Sequence, residues 1–289
     1  MIGPEYSQFP KAIEIQTTSA CNAACIVCPH PVVVSELPKG YMTDELFEKI
    51  IGQIGTKSVR VIPYLNSEPF LDPHFIRRLN HVSEVCPNAE IEVSTNLSRV
   101  DELARDKLRS ARITEMRLSV FGFTKETYER IMPGLSWAST KAHLDCLAND
   151  NDLRKRISEI GLVLVDFPLM TPEDVETARA YCVEKDITFH FWGFLDRARN
   201  VPLYSNSVYR TTIHGCEQRR PLDRMHVGLD GRVILCCQDW RQTHILGDLN
   251  TQSIEEVWHS EKYQNVRRRI YIDGTNAPDL CKKCKLAIP

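Results

Sequence analysis

The sequence of 289 residues contains no apolar run long enough to span a bilayer. Nor is there an excess of either charge: 36 Lys and Arg against 38 Asp and Glu leave a formal net charge of −2. The first absence predicts no membrane segment. The second removes the basic surface that nucleic acid or an anionic membrane would require. Residues 1–5 have neither a basic start nor an apolar h-region, so no signal peptide is expected and a cytoplasmic location is. In that reducing compartment eleven cysteines, an odd number, predict metal binding or thiol chemistry rather than a disulfide framework. A further absence is the most informative. Cys21, Cys25 and Cys28 fall within eight residues as Cys-x3-Cys-x2-Cys, with no fourth cysteine beside them. Thiolate sulfur suits iron–sulfur clusters and zinc. A structural zinc site is normally closed by four ligands, whereas a cubane on three thiolates keeps one iron open. Read from the residues alone, a cluster, a zinc ion and three buried thiols all remain open.

An apolar fraction of 43% and a charged fraction of 26% are ordinary for a globular chain, and the length suits one large domain or two unequal ones. From residue 12 to about 193, short β-branched or aromatic runs alternate with helical patterns. The strand candidates are 12–17, 58–64, 90–94, 116–120, 158–165 and 187–192. Thr43 before Asp44-Glu45, and Thr171-Pro172-Glu173-Asp174, read as helix starts. Strands separated by single helices imply right-handed βαβ units and a parallel sheet. Six such units make an α/β fold of partial (β/α)6, TIM-type form, with functional residues at the carboxyl ends of the strands.

Cys-x3-Cys-x2-Cys on the loop after a first strand resembles the signature of the radical S-adenosylmethionine (radical SAM) enzymes. The resemblance implies that Cys21, Cys25 and Cys28 hold a [4Fe–4S] cluster whose open iron chelates SAM. Reductive cleavage of SAM then gives a 5′-deoxyadenosyl radical that abstracts hydrogen from substrate. It also implies SAM contacts at successive strand ends. Asn66-Ser67-Glu68-Pro69 stands where the family usually has Gly-Gly-Glu-Pro, with Glu68 matching the acid that receives the SAM ammonium. Ser94, Thr95 and Asn96 match Ser-Thr-Asn-Gly, and Ser119 matches a serine that contacts the SAM carboxylate. Asp196-Arg197-Ala198-Arg199-Asn200 resembles Asn-Arg-Ala-Gly-Asn. Val27 occupies the place of an aromatic residue beside the adenine. An electron donor such as flavodoxin or ferredoxin is implied as partner.

After a break near 201–207 the chain carries Cys216, Cys236, Cys237, Cys281 and Cys284. Asp230-Gly231 before an apolar run predicts a hairpin, and Ser253-x-x-Glu256 a capping box. That box should open one helix with apolar Ile254, Val257, Trp258, Val266 and Ile270 and a solvated run 267–269. Cys216, Cys236, Cys281 and Cys284 could close a metal site with four thiolates, iron–sulfur or zinc. The pattern resembles the truncated SPASM, or Twitch, domain, which implies one auxiliary [4Fe–4S] cluster. The expected division is 1–205 for the radical SAM partial barrel and 206–289 for a small α+β auxiliary-cluster domain of hairpin and helix.

Short family members with one auxiliary cluster include enzymes of aminoglycoside biosynthesis, so an amino sugar or aminoglycoside is the expected small-molecule substrate. Cys237, beside the ligand Cys236, is the expected catalytic residue of an epimerase, returning a hydrogen atom from its weak S–H bond. The alternatives are a dehydrogenase that passes an electron to the auxiliary cluster, and a peptide-modifying enzyme; no leader-binding domain is expected before Lys11. His190, Arg197, Arg199, Asp239, Trp240 and Glu36 are candidate substrate contacts. Cys86, Cys146 and Cys182 fall on helical faces and read as packing residues.

Overall fold

The computed structural model describes residues 4–205 and 207–289; of the break expected at 201–207, Asn206 lies outside the described residues. Six strands follow one another with helices between them: β1 (Ala12–Ile15), β2 (Arg60–Ile62), β3 (Glu90–Thr95), β4 (Ile113–Ser119), β5 (Ile157–Asp166) and β6 (Thr188–Gly193). All five adjacent pairs are parallel. Alternate residues divide the sheet's faces. Ile13, Ile15, Val61, Ile91, Val93, Met116 and Leu118 are buried in one cluster with helix residues such as Phe47, Ile50, Phe75 and Leu79. The opposite face is polar. Arg60 Nη1 donates to Glu92 at 2.9 Å and to Glu115 at 2.7 Å, and Arg117 Nη1 donates to Glu92 at 2.7 Å.

The helix starts lie where their chemistry placed them. Thr43 caps the helix Asp44–Ile54 by accepting from Leu46 N at 3.2 Å. Thr171 and Asp174 form a reciprocal capping box on the helix Pro172–Lys185.

Five further strands follow: β7 (Gly215–Cys216), β8 (Arg224–Val227), β9 (Arg232–Ile234), β10 (Ile245–Asp248) and β11 (Ala287–Ile288). The expected hairpin is β8–β9, turning through residues 228–231 with Gly231 at φ +85°. It does not stand apart from the barrel sheet. β8 pairs in parallel with β1, Ala12 opposite Arg224 and Ile15 opposite Val227, so nine strands run in the order β10-β9-β8-β1-β2-β3-β4-β5-β6. The separate pair β7–β11 sets Ala287 opposite Cys216.

Three expectations need correction. Cys146 reads as a packing residue and instead lies exposed on its helix. The single helix from Ser253 is two, Ile254–Trp258 and Glu261–Tyr271, because Ser260 interrupts the first and caps the second by accepting from Tyr263 N at 3.2 Å. Arg267 is not solvated: it is 1% exposed, with its guanidinium 3.8 Å from the Tyr6 ring and 4.1 Å from each of the Trp258 and Tyr263 rings. Its Nη1 and Nε donate to Trp258 O and Pro221 O, so stacking and two hydrogen bonds offset part of its desolvation, which still pulls the guanidinium down to about 10.

Candidate active site

The first cysteine loop leaves β1 and is tied to the end of the helix Lys125–Ile131 and to the end of β3. Ala24 N donates to Pro133 O at 2.7 Å and Ile26 N to Ile131 O at 3.0 Å. Asn22 accepts from Asn96 Nδ2 at 3.1 Å and donates to Ser98 at 2.8 Å. Gly134, at φ +93°, lies so close beneath that a Cβ there would stand 2.9 Å from Asn22 O. Burial, then the negative charge of their neighbours, pushes the Cys25 thiol well up and Cys21 to about 11. Burial also raises Cys28, against the His30 N–H and the positive charge of Arg197. Three soft donors that resist ionisation together suit a cationic metal centre, which would take up that charge. Val27 is buried on the same loop.

Glu68 follows β2 and is 2% exposed. Its Oε1 accepts from Thr95 Oγ1 at 2.7 Å and Phe70 N at 3.2 Å, and its Oε2 from Asn96 N at 2.7 Å. Burial outweighs these three bonds and pushes the carboxyl up to about 7. Thr95 and Asn96 therefore act on Glu68, a role their motif did not reveal. Ser94 and Ser119, at the ends of β3 and β4, lie 3.4 Å apart through their hydroxyls.

Three of the four missing glycines have a physical resolution; Ser67, the fourth, does not have a left-handed backbone. Asn66, Leu97 and Arg199 stand where the resembled motifs carry glycine, and all three keep left-handed backbone, at φ +56°, +67° and +67°. Each such residue costs about 1–2 kcal/mol. Arg197 and Ala198, at +53° and +54°, extend the last of these into three consecutive left-handed residues. Asp196 Oδ2 braces this turn by accepting from Ser207 N at 2.9 Å and Ser207 Oγ at 2.6 Å.

Cys216, Cys236, Cys281 and Cys284 line one small apolar pocket with Leu235, Ile270 and Leu286, and burial pushes the Cys281 and Cys284 thiols up. Four convergent thiols, in a lining whose one further polar side chain is Gln238, suit an auxiliary cluster closed on every iron. Cys237 is not among the pocket's lining residues. Its Sγ accepts from Arg220 Nη1 at 2.9 Å, and Cys236 Sγ lies 3.7 Å from the same nitrogen. His226, Cys236 and Cys237 also bring ligand atoms within 4.8 Å of one another. The buried Arg220 already supplies that group with a cation. Burial lowers His226, but Glu14, 3.3 Å away, overcomes this and holds it up at about 9. Arg220, His226 and Glu14 carried no sequence signal.

Of the substrate candidates, Asp239 is spent on its own loop, accepting from Thr243 and His244. Trp240 is buried, Arg199 donates to Ser207 O at 2.8 Å, and Glu36 pairs with Arg241. His190 is different. Its buried Nε2, like Trp240 Nε1, has no hydrogen-bond partner among the described residues, but its ring lies 5.5 Å from that of Trp192, which is 43% exposed.

Residues 15–182 match the model of the radical SAM superfamily. The chain belongs to that superfamily. Residues 216–285 of this radical SAM protein match the iron–sulfur cluster-binding domain called SPASM. Its cofactors are therefore SAM, a SAM-binding [4Fe–4S] cluster and an auxiliary [4Fe–4S] cluster. It is 21% identical over 274 residues to the S-adenosyl-L-methionine-dependent 2-deoxy-scyllo-inosamine dehydrogenase of Niallia circulans, covering 94% of this chain and 91% of that protein. Its fold resembles BtrN in complex with AdoMet and 2-DOIA (TM-score 0.63, 17% identity, 98% of this chain and 94% of that one). It also resembles Streptococcus suis SuiB bound to the precursor peptide SuiA (TM-score 0.70, 13% identity, 97% and 71%). Among the described residues no helix is long and apolar enough to cross a membrane.

Proposed function

We propose that this radical SAM enzyme is a dehydrogenase that oxidises a secondary alcohol of an aminocyclitol to a ketone. The observation that carries the reading is the pocket of Cys216, Cys236, Cys281 and Cys284, whose four thiols leave an auxiliary cluster no open iron and so favour electron transfer. The dehydrogenase relative, matched over nearly its whole length, supports the same chemistry and shifts the balance away from epimerisation. In this reading residues 1–205 hold SAM and its cluster, through Cys21, Cys25 and Cys28, and residues 206–289 hold the auxiliary cluster. When bound, SAM with its cluster supplies hydrogen-atom abstraction, and the auxiliary cluster an electron sink.

The chain's own side chains bind and orient. Glu68 takes the SAM ammonium, held in place by Thr95 and Asn96; Ser94 and Ser119 face the SAM carboxylate; Val27 packs beside the adenine; Arg197 adds positive charge next to Cys28. Trp192, 43% exposed, offers a ring face for the apolar side of a cyclitol. The alcohol gives up one hydrogen atom, one electron and one proton. A reduced flavodoxin or ferredoxin serves as the electron donor that starts each turnover.

A second reading is epimerisation, favoured by one observation: Cys237 stands beside the four-thiol pocket without lining it, its thiol hydrogen-bonded to Cys236 and kept protonated by that bond and by burial. Mass spectrometry of aminocyclitols and aminoglycosides, incubated anaerobically with enzyme, SAM and reductant in heavy water, separates the two. The dehydrogenase gives a product two hydrogens lighter and survives Cys237→Ala. A product of unchanged connectivity with one added deuterium, lost in Cys237→Ala, overturns it in favour of the epimerase.

A further inference from the structure

The two cysteine sites are joined by a line of polar side chains, half-buried at Arg197 and buried at Gln238 and Arg220. Arg197, on the left-handed turn after β6, lies where its charge acts on Cys28. In the amide orientation that satisfies both neighbours, Gln238 Oε1 accepts from Arg197 Nη1 at 3.2 Å and from Arg220 Nη1 at 3.0 Å. Arg220 in turn faces Cys236 Sγ at 3.7 Å and Cys237 Sγ at 2.9 Å. Gln238 reaches the same ligand by a second route, its backbone N–H lying 3.5 Å from Cys236 Sγ. Gln238 is 2% exposed and Arg220 8% exposed, so water does not screen the line. Asn200 Nδ2 fixes the turn to the same segment by donating to Arg197 O at 2.8 Å and standing 3.4 Å from Gln238 O.

Both arginines compete for one acceptor oxygen. A negative charge arriving near Arg197, such as a SAM carboxylate, draws that guanidinium toward itself and loosens its hold on Gln238. Gln238 then binds Arg220 more fully, and Arg220 has less hydrogen-bonding power left for sulfur. Hydrogen bonds to cluster sulfurs raise reduction potential, so their loss at Cys236 lowers it.

We propose that the Arg197–Gln238–Arg220 bridge couples occupancy of the SAM site to the reduction potential of the auxiliary cluster, so that each site reports its state to the other. The inference rests on assigning the two cysteine sets as cluster ligands. Linkage makes the effect reciprocal: the potential shifts on ligand binding, and ligand affinity differs between the two oxidation states of the auxiliary cluster by the same factor. A factor of about five lies at the low end of such couplings and corresponds to about 40 mV for one electron.

The test is an EPR-monitored redox titration of the anaerobically reconstituted full chain, with and without S-adenosylhomocysteine, which occupies the site but lacks the sulfonium that is cleaved. The wild-type auxiliary potential should fall when the probe binds. In Gln238→Leu the shift should vanish, and in Gln238→Glu, which keeps an oxygen to accept from both arginines, it should persist from a lower starting potential. With both cluster signals present and the probe bound, an unmoved wild-type potential, or an equal shift in Gln238→Leu, overturns the bridge. A failure of either wild-type signal to develop, with iron content short of two clusters, overturns instead the ligand assignment beneath it.

Discussion

If Glu68 receives the SAM ammonium as proposed, the Thr95–Glu68 hydrogen bond sets the pH range over which SAM is held. Glu68 sits at about 7 because burial outweighs three hydrogen bonds, and the shortest from a side chain is the 2.7 Å bond from Thr95 Oγ1. Thr95→Val keeps the shape and removes that donor. A hydrogen bond to a charged group is worth about 1.5–3 kcal/mol, so the carboxyl should rise by about 1–2 further pH units. Only ionised Glu68 receives an ammonium, so wild-type affinity for SAM should weaken tenfold per pH unit below about 7. At pH 7 the variant should bind about 5- to 50-fold more weakly than wild type, recovering near pH 9. Equilibrium dialysis with labelled SAM between pH 6 and 9 measures this on unreduced, reconstituted protein. Equal affinities at pH 7, or a deficit that is the same at every pH, would refute the reasoning. Thr95 Oγ1 also accepts from Leu97 N at 3.0 Å, so the variant should lose about 1–3 kcal/mol of stability independently of pH. The Glu68 shift itself lowers apoprotein stability as pH climbs from 4.5 to about 7, because the folded chain holds a proton that the unfolded chain has released.

Gly134→Ala should fold but load the first cluster poorly, since its Cβ meets Asn22 O at 2.9 Å on a backbone that already disfavours a side chain; iron content and EPR report it. Arg267→Ala should cost about 3 kcal/mol in denaturant unfolding, through lost stacking and two hydrogen bonds to carbonyls; a change under 0.5 kcal/mol, typical of a surface site, would contradict its placement. Asn66→Gly should raise stability by about 0.5–1 kcal/mol, measured the same way, because it relieves a left-handed residue. Brief alkylation of the native protein should label Cys146, which is exposed, and spare the buried Cys86 and Cys182; mass mapping of the labelled peptides decides it.

Much of the barrel was legible because its signals are local. Short β-branched and aromatic runs place β1 and β6, and Thr43 and Thr171 start helices through their own hydroxyls. The cysteine spacing exposed the metal chemistry for the same reason. What stayed hidden depends on partners far along the chain. Nothing near residues 224–227 says that they pair with β1, more than two hundred residues earlier. Arg220 looked like one of several arginines, and only the fold brings it between Cys237 and Gln238. Arg267 was misread because a run of three arginines resembles a solvated face until Tyr6 and Trp258 close over the first of them. The glycine departures were visible as departures. The left-handed geometry that three of them retain was not, because backbone angle is not written in residue type once glycine is gone.

The pairing of β8 with β1 bears on how the chain is made. A growing polypeptide that has emerged as far as β6 holds all six parallel strands, yet β1, buried at every residue, still has one flank of backbone amides and carbonyls unpaired. That flank closes only when Arg224–Val227 leaves the ribosome. Until then the oldest strand is an apolar edge open to pairing with another chain. The segment that carries the auxiliary thiols thus also covers the exposed side of the first strand, and a chain cut short before it would be prone to aggregate before any cluster chemistry could begin.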